Sequence, residues 1–282
     1  MVIFKHAEDI KFHLTRLRGV KASIGFVPTM GALHNGHISL LNTCNAACDI
    51  TICSIFVNPT QFNNVDDFNK YPITIEKDIY LLEKNGCDIL FIPDVKEIYP
   101  EGVVSNIHFD LGHLETILEG KYRPGHFQGV CQVVKRLLEI VNPTTLFIGQ
   151  KDYQQCMVIK KLLQLMNLNI QLIICPTLRE ESGLAMSSRN MRLKDDEKKQ
   201  ASEIYKILMF IKQNLKEKSL AEIKKEAEDY LAKKDFRVDY VEIANADNLK
   251  IVDEADDNIN LITLVAAYID DVRLIDNMLL TD

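Results

Sequence analysis

Up to about residue 175, short apolar runs alternate with amphipathic stretches. Ser23–Val27, Asp49–Val57, Asp88–Ile92, Thr145–Ile148 and Gln171–Cys175 have the length and the Ile, Val and Phe content of buried strands. Between them lie helical patterns. One opens at Gly36, and Ile75–Lys84 is closed by the stop signal Asn85-Gly86. Phe127–Val141 spaces Val130, Val133, Val134, Leu137 and Leu138 along one helical face, and Gln154–Met166 continues the alternation. Strands alternating with helices predict a parallel, doubly wound α/β sheet.

Beyond about residue 190 the texture changes. Asp195–Leu215 is rich in charge and carries the stripe Ile204, Ile207, Leu208, Ile211 and Leu215, predicting an amphipathic helix. Ser219-Leu220-Ala221-Glu222 has the form of a capping box opening another helix. Phe236–Ala244 and Asn260–Ile269 read as strands, so this part is a smaller α+β unit.

Composition narrows the functions. The chain has 282 residues, with 33 basic against 40 acidic side chains and a net charge of −7. That balance argues against a surface built for nucleic-acid phosphates, though it leaves room for a local basic pocket. Residues 1–17 are interrupted by Lys5, His6, Glu8, Asp9, Lys11, His13 and Arg16, leaving no apolar core for an export signal. Ile50–Val57 and Leu261–Ile269 are too short to cross a bilayer. The seven cysteines form no C-x-x-C pair and sit mostly in apolar runs. Free thiols in a reducing cytoplasm are the expectation.

Walker-type, G-x-G-x-x-G and H-E-x-x-H motifs are absent. The candidate chemistry lies in Pro28-Thr29-Met30-Gly31-Ala32-Leu33-His34-Asn35-Gly36-His37, which follows a core strand and runs into a helix. Ligands of open α/β sheets bind beyond the carboxyl ends of strands, and helix N-termini favour phosphate. His34 and His37, three apart, share one face of a first helical turn and can both donate to phosphate oxygens. Zinc is the rival ligand, but no third ligand stands at useful spacing. A second strand empties into Gly149-Gln150-Lys151-Asp152, where Lys151 offers a cation and Gln154 and Gln155 neutral hydrogen-bonding groups. In a third segment, Met186-Ser187-Ser188-Arg189, hydroxyls and a guanidinium suit polyphosphate.

Together, PTMGALHNGH, SIFVNPTQF, LEGKYRPGHFQGV, GQKDYQQ, GLAMSSRN and VAAYIDDVRLIDN resemble the pantothenate synthetases, the pantoate–β-alanine ligases of the H-x-G-H nucleotidyltransferase superfamily. The resemblance covers nearly the whole chain. The H-x-G-H element alone would equally admit a cytidylyl- or adenylyltransferase. The resemblance implies a Rossmann-like domain at 1–176 that binds nucleotide and pantoate, and a smaller α+β domain at 177–282 that covers ATP. It implies condensation of pantoate with β-alanine through pantoyl adenylate, releasing pyrophosphate and AMP. ATP would contact Met30, Gly31, Ala32, Leu33, His34, Asn35, Gly36, His37, Gly149, Gln150, Lys151, Asp152, Leu178, Met186, Ser187, Ser188 and Arg189. His37, with His34 and Lys151, would carry the chemistry, His37 as proton donor. Gln61 and Gln155 would hold pantoate, Gln61 also lying near β-alanine. Mg²⁺ is expected with the polyphosphate, with no metal ligand assigned on the protein. A cytoplasmic homodimer with no membrane or nucleic-acid partner is implied as well. Two positions depart from the pattern: Ile73 stands where relatives often carry Arg, and Ser182 where an Asp is frequent. A nucleotide sensor that had lost turnover is the non-enzyme alternative, against which stand His34, His37, Lys151, Ser187, Ser188 and Arg189.

Overall fold

A computed structural model describes residues 1–63, 65–103, 107–256 and 258–281. It divides into two compact units, Met1–Gly149 with Val158–Pro176, and Gln150–Met157 with Thr177–Asp282. Residues 150–157 thus group with the second unit, which no change of texture in the sequence marks.

The first unit is built on six parallel strands: β1 (Val2–Phe4), β2 (Ile24–Thr29), β3 (Ile50–Ile55), β4 (Ile89–Phe91), β5 (Thr145–Gly149) and β6 (Gln171–Cys175). Their order in the sheet is β1-β4-β3-β2-β5-β6. The chain therefore winds outward from β2 in one direction, then returns to β5 on the other side. β2 and β5 flank the reversal, the place where an open α/β sheet leaves a crevice at its carboxyl edge. Residues on both faces of the central strands are buried, as parallel strands covered by helices require. Gly25 in β2 lets the helix Asn35–Ala47 lie close. A Cβ there would stand 2.2 Å from Cys44 Sγ and 3.0 Å from Cys48 Sγ. The strand and the helix that flank the histidine loop are in this way packed directly on one another.

Two elements at the amino end were not predicted from the pattern. The charged stretch after Lys5 forms the helix Ala7–Gly19, which buries Ala7, Ile10 and Leu14 along one stripe. It is preceded by β1, which pairs with β4 at the sheet edge.

The second unit contains an antiparallel sheet of β7 (Arg237–Asn245), β8 (Leu261–Ile269) and β9 (Val272–Leu279), in that order. The helices Glu203–Asn214 and Leu220–Lys233 supply Ile204, Ile207, Leu208, Ile211, Ile223, Ala227 and Leu231 to its core, with Val241, Val265 and Leu274 from the strands. The expected long helix from Asp195 is instead two helices, Asp195–Ala201 and Glu203–Asn214, parted at Ser202. The Ser219 capping box forms as predicted. Ser219 Oγ accepts from Glu222 N at 3.3 Å, and Glu222 accepts from Ser219 N at 3.0 Å. None of the seven cysteines is joined in a disulfide. Burial pushes Cys44, Cys87 and Cys131 up to about 12.

Candidate active site

In the first unit the chain leaves β2 at Thr29 and turns through two consecutive residues of left-handed backbone, Gly31 (φ 80°) and Ala32 (φ 49°). Glycine adopts this conformation freely, while alanine is strained there and needs support. The support is made of side chains. Thr29 Oγ1 accepts from Gly31 N at 3.2 Å and donates to Ser54 O at 2.7 Å. The buried carboxylate of Asp78, in the helix Ile75–Lys84, accepts from Ala32 N at 2.9 Å and from Leu33 N at 2.8 Å. The amides of residues 31–33 therefore point into the protein.

That helix begins with the paired histidines. His34 is its N-cap, and His34 Nδ1 accepts from Gly36 N at 3.1 Å. His37 Nδ1 accepts from His34 N at 3.3 Å. A ring nitrogen that accepts from an amide carries no proton, so each neutral imidazole holds its proton on Nε2. The rings lie 4.0 Å apart, tilted by 43°. The local fold thus orients both imidazoles at a helix N-terminus, a place favourable to anions.

Gln61 ends a short turn, Pro59–Gln61, after β3. Its side chain is oriented by Asn58, which is buried and was not singled out from sequence. Asn58 Nδ2 donates to Gln61 Oε1 at 3.1 Å and to Gly129 O at 3.1 Å, while Asn58 Oδ1 accepts from Tyr99 Oη at 2.7 Å. Burial raises the Tyr99 hydroxyl, so it stays a donor. With Oε1 accepting from Asn58, the amide NH₂ of Gln61 is directed toward Met30. That NH₂ lies 2.9 Å from Met30 Sδ, a weak acceptor that a carboxylate or hydroxyl would outcompete. The backbone of Gln61 is held as firmly. His126 Nδ1, also overlooked in the sequence, donates to Gln61 O at 2.7 Å. Gly129 permits the approach, since a Cβ there would stand 2.3 Å from Thr60 O. The first unit thus brings together Met30–His37 and Gln61, with Gly149 at the end of the neighbouring strand β5.

The second unit holds the other predicted groups. Lys151 sits in a single turn, Gln150–Asp152, whose carbonyls face inward. Asn277 on β9, itself buried, donates through Nδ2 to Gln150 O at 3.0 Å and Lys151 O at 2.8 Å. Its Oδ1 accepts from Gln150 Nε2 at 3.2 Å. Tyr153 Oη donates to Ala246 O at 2.9 Å, and burial pushes this phenol up to about 12. Gln155 is half-buried in the first turn of the helix that follows.

Leu178, Met186, Ser187, Ser188 and Arg189 lie on a hairpin-like excursion tied together by Met186 N to Leu178 O at 3.0 Å. The paired guanidinium of Arg179 fixes its base, donating to Asp276 Oδ2 at 2.6 Å and to Asp276 Oδ1 at 3.0 Å. Arg179 also reaches Gly183 O and stacks on Tyr205, whose ring fills the space a Cβ on Gly183 would need. Ser187 caps the turn Ser188–Arg192 by accepting from Arg189 N at 3.3 Å. Ser182, one of the two departures from the family's expected pattern, caps the loop by accepting from Leu184 N at 3.4 Å. The other departure, Ile73, is largely exposed. Arg179, Asp276 and Asn277 had no signal beyond lying in or beside the recognised motifs.

A parallel sheet with a glycine-containing loop and a histidine pair at its reversal is of the nucleotide-binding α/β class. Comparison with known proteins narrows this. The family model described as pantoate–beta-alanine ligase matches residues 2–279. A pantothenate synthetase of Cytophaga hutchinsonii is 46% identical, covering 99% of each chain. The crystal structure of pantothenate synthetase from Thermus thermophilus has a TM-score of 0.92 at 36% identity and full coverage of both chains. The pantoate–beta-alanine ligase of Francisella tularensis, solved in complex with β-γ ATP and β-alanine, has a TM-score of 0.81 at 40% identity, covering 99% of this chain and 98% of that one. The chain belongs to the pantoate–beta-alanine ligase family.

Proposed function

We propose that this chain joins pantoate to β-alanine with ATP, forming pantothenate, AMP and pyrophosphate through pantoyl adenylate. The observation that carries the reading is the family match over residues 2–279. The roles assigned here rest on the family's pattern and on the residue types at these positions. The pantoate carboxylate attacks the α-phosphorus, and pyrophosphate leaves. The amine of β-alanine then attacks the activated carbonyl and displaces AMP. Negative charge builds on the phosphoryl oxygens and the leaving group, so fixed donors and cations contribute most of the catalysis. His34 and His37 offer Nε2–H groups set by their backbone bonds, with His37 as proton donor to the departing pyrophosphate. Lys151 supplies the positive charge, and the segments Met30–His37, Gly149–Asp152, Leu178 and Met186–Arg189 hold the nucleotide.

Gln61 presents its NH₂ to pantoate and to the incoming β-alanine, and Gln155 also orients pantoate. Among the described residues, no group of three His, Cys, Asp or Glu is arranged to hold a metal ion. Mg²⁺ would come with the nucleotide, as MgATP. No helix among the described residues is long and apolar enough to cross a membrane. On the family's pattern we propose a cytoplasmic homodimer, with functional domains at 1–176 and 177–282.

The test is the order of events. A carboxylate held against the α-phosphorus needs no amine for the first step. The protein should therefore exchange labelled pyrophosphate into ATP when pantoate is present and β-alanine absent, and form AMP only when both are present. Release of ADP and phosphate, or exchange strictly dependent on β-alanine, defeats this mechanism.

A further inference from the structure

We propose that Asp78 is a positioning residue of the nucleotide site, holding the histidine loop in its working conformation by occupying the loop's own amides. The inference rests on the reading of that loop as the ATP-binding segment. Asp78 is 0% exposed. Its two oxygens accept from Ala32 N and Leu33 N, and Oδ1 also accepts from Thr74 Oγ1 at 3.0 Å. Thr74 directly precedes the helix that carries Asp78, so the carboxylate is itself braced by its own element. The amides it captures lie where the chain passes through left-handed backbone at Gly31 and Ala32, immediately before His34.

The fit is close. A Cβ on Gly31 would come within 3.1 Å of Asp78 Oδ2 and 3.0 Å of the Ile55 side chain. Burying a carboxylate is costly unless donors surround it, and those found here are loop amides rather than a cation. Two consequences follow for ATP. The loop amides are unavailable to phosphate, which leaves phosphate to the imidazoles. The strained turn at Ala32, which fixes where the helix of His34 and His37 begins, is kept in place by a group that never touches substrate.

Asp78→Asn is the informative variant, since whichever way its amide turns, one loop N–H then faces another donor. A folded Asp78→Asn enzyme should show an ATP KM raised about tenfold or more in pyrophosphate exchange, with weaker ATP binding by calorimetry. Leu82→Ala, in the same helix but buried in the core, provides the control. It should lower Tm without moving the ATP KM. If Asp78→Asn does not fold, Thr74→Val decides, as it removes one donor to the carboxylate and leaves both loop bonds. It should raise the ATP KM about threefold. An unchanged ATP KM in the folded Asp78→Asn enzyme overturns the proposal. So does an equal rise in Leu82→Ala, or, where Asp78→Asn is unfolded, an unchanged value in Thr74→Val. A wild-type protein that shows no pantoate-dependent exchange counts against the ligase reading. Asp78 is then judged by calorimetric ATP affinity alone.

Discussion

The two loops that carry the polar chemistry are anchored by opposite means. The loop after β2 turns its amide N–H groups inward and is held by a carboxylate, Asp78. The turn after β5 directs its carbonyls inward and is held by the NH₂ of an asparagine, Asn277. Each anchor is the chemical complement of the backbone groups facing it, and those groups are thereby removed from ligand binding. What remains differs accordingly. On the proposed reading the first loop would meet ATP with imidazoles, whereas the second would offer a lysine cation. A carboxylate anchor beside Lys151 would have competed with phosphate for the charge, and a neutral amide does not.

The comparison can be broken at several points. Removing the cation tests its functional end most severely. Lys151→Ala should lower turnover about 100–1000-fold, by analogy with loss of one oxyanion donor, while thermal unfolding stays near that of the parent. Normal turnover in the folded variant removes Lys151 from the chemistry. Exchanging the anchor's polarity comes next. Asn277→Asp sets carboxylate oxygens against two carbonyls and should destabilise by about 1–3 kcal/mol per disrupted group, with a raised ATP KM. A Tm and ATP KM equal to the parent's would show that the complementarity described here is idle. The smallest effect belongs to Thr29→Val, which strips the hydroxyl bridging Gly31 N and Ser54 O. It should cost about 1 kcal/mol, read as a Tm lower by about 2–4 °C, and leave the chemical step nearly intact.

Much of this was legible in the sequence for physical reasons. Central parallel strands are apolar on both faces, so β2 to β6 stand out as continuous runs, and the helices between them keep their period. The histidine pair and Lys151 are visible because they directly follow such strands. The weaker elements escaped notice. The helix Ala7–Gly19 buries only a narrow stripe among many charges, and β9 shares its sheet with β8 while leaving half its side chains partly exposed. The long pattern from Asp195 hid a break because the hydrophobic stripe begins only at Ile204, past Ser202, so nothing in it marks where one helix gives way to the next. Asp78, Asn58, His126 and Asn277 could not be found by pattern. Each looks like an ordinary polar residue until the chain brings it to partners that only the fold supplies, as with Gly129 for Asn58 and Gln61 for His126. Spacing reports neighbours along an element and says nothing of these.

The two anchors also lie at very different distances along the chain, and this sets a timetable for synthesis. Asp78 is 45 and 46 residues from the amides it captures, whereas Asn277 is 126 and 127 residues from the carbonyls it holds. Chains emerge from the ribosome amino end first and fold by units as they lengthen. The histidine loop belongs to a unit whose last strand is β6, so it can take its final form once that strand has emerged. The lysine turn must wait for β9. A chain ended between β6 and β9 would thus hold the histidine pair in its completed unit and leave the lysine turn without its asparagine anchor.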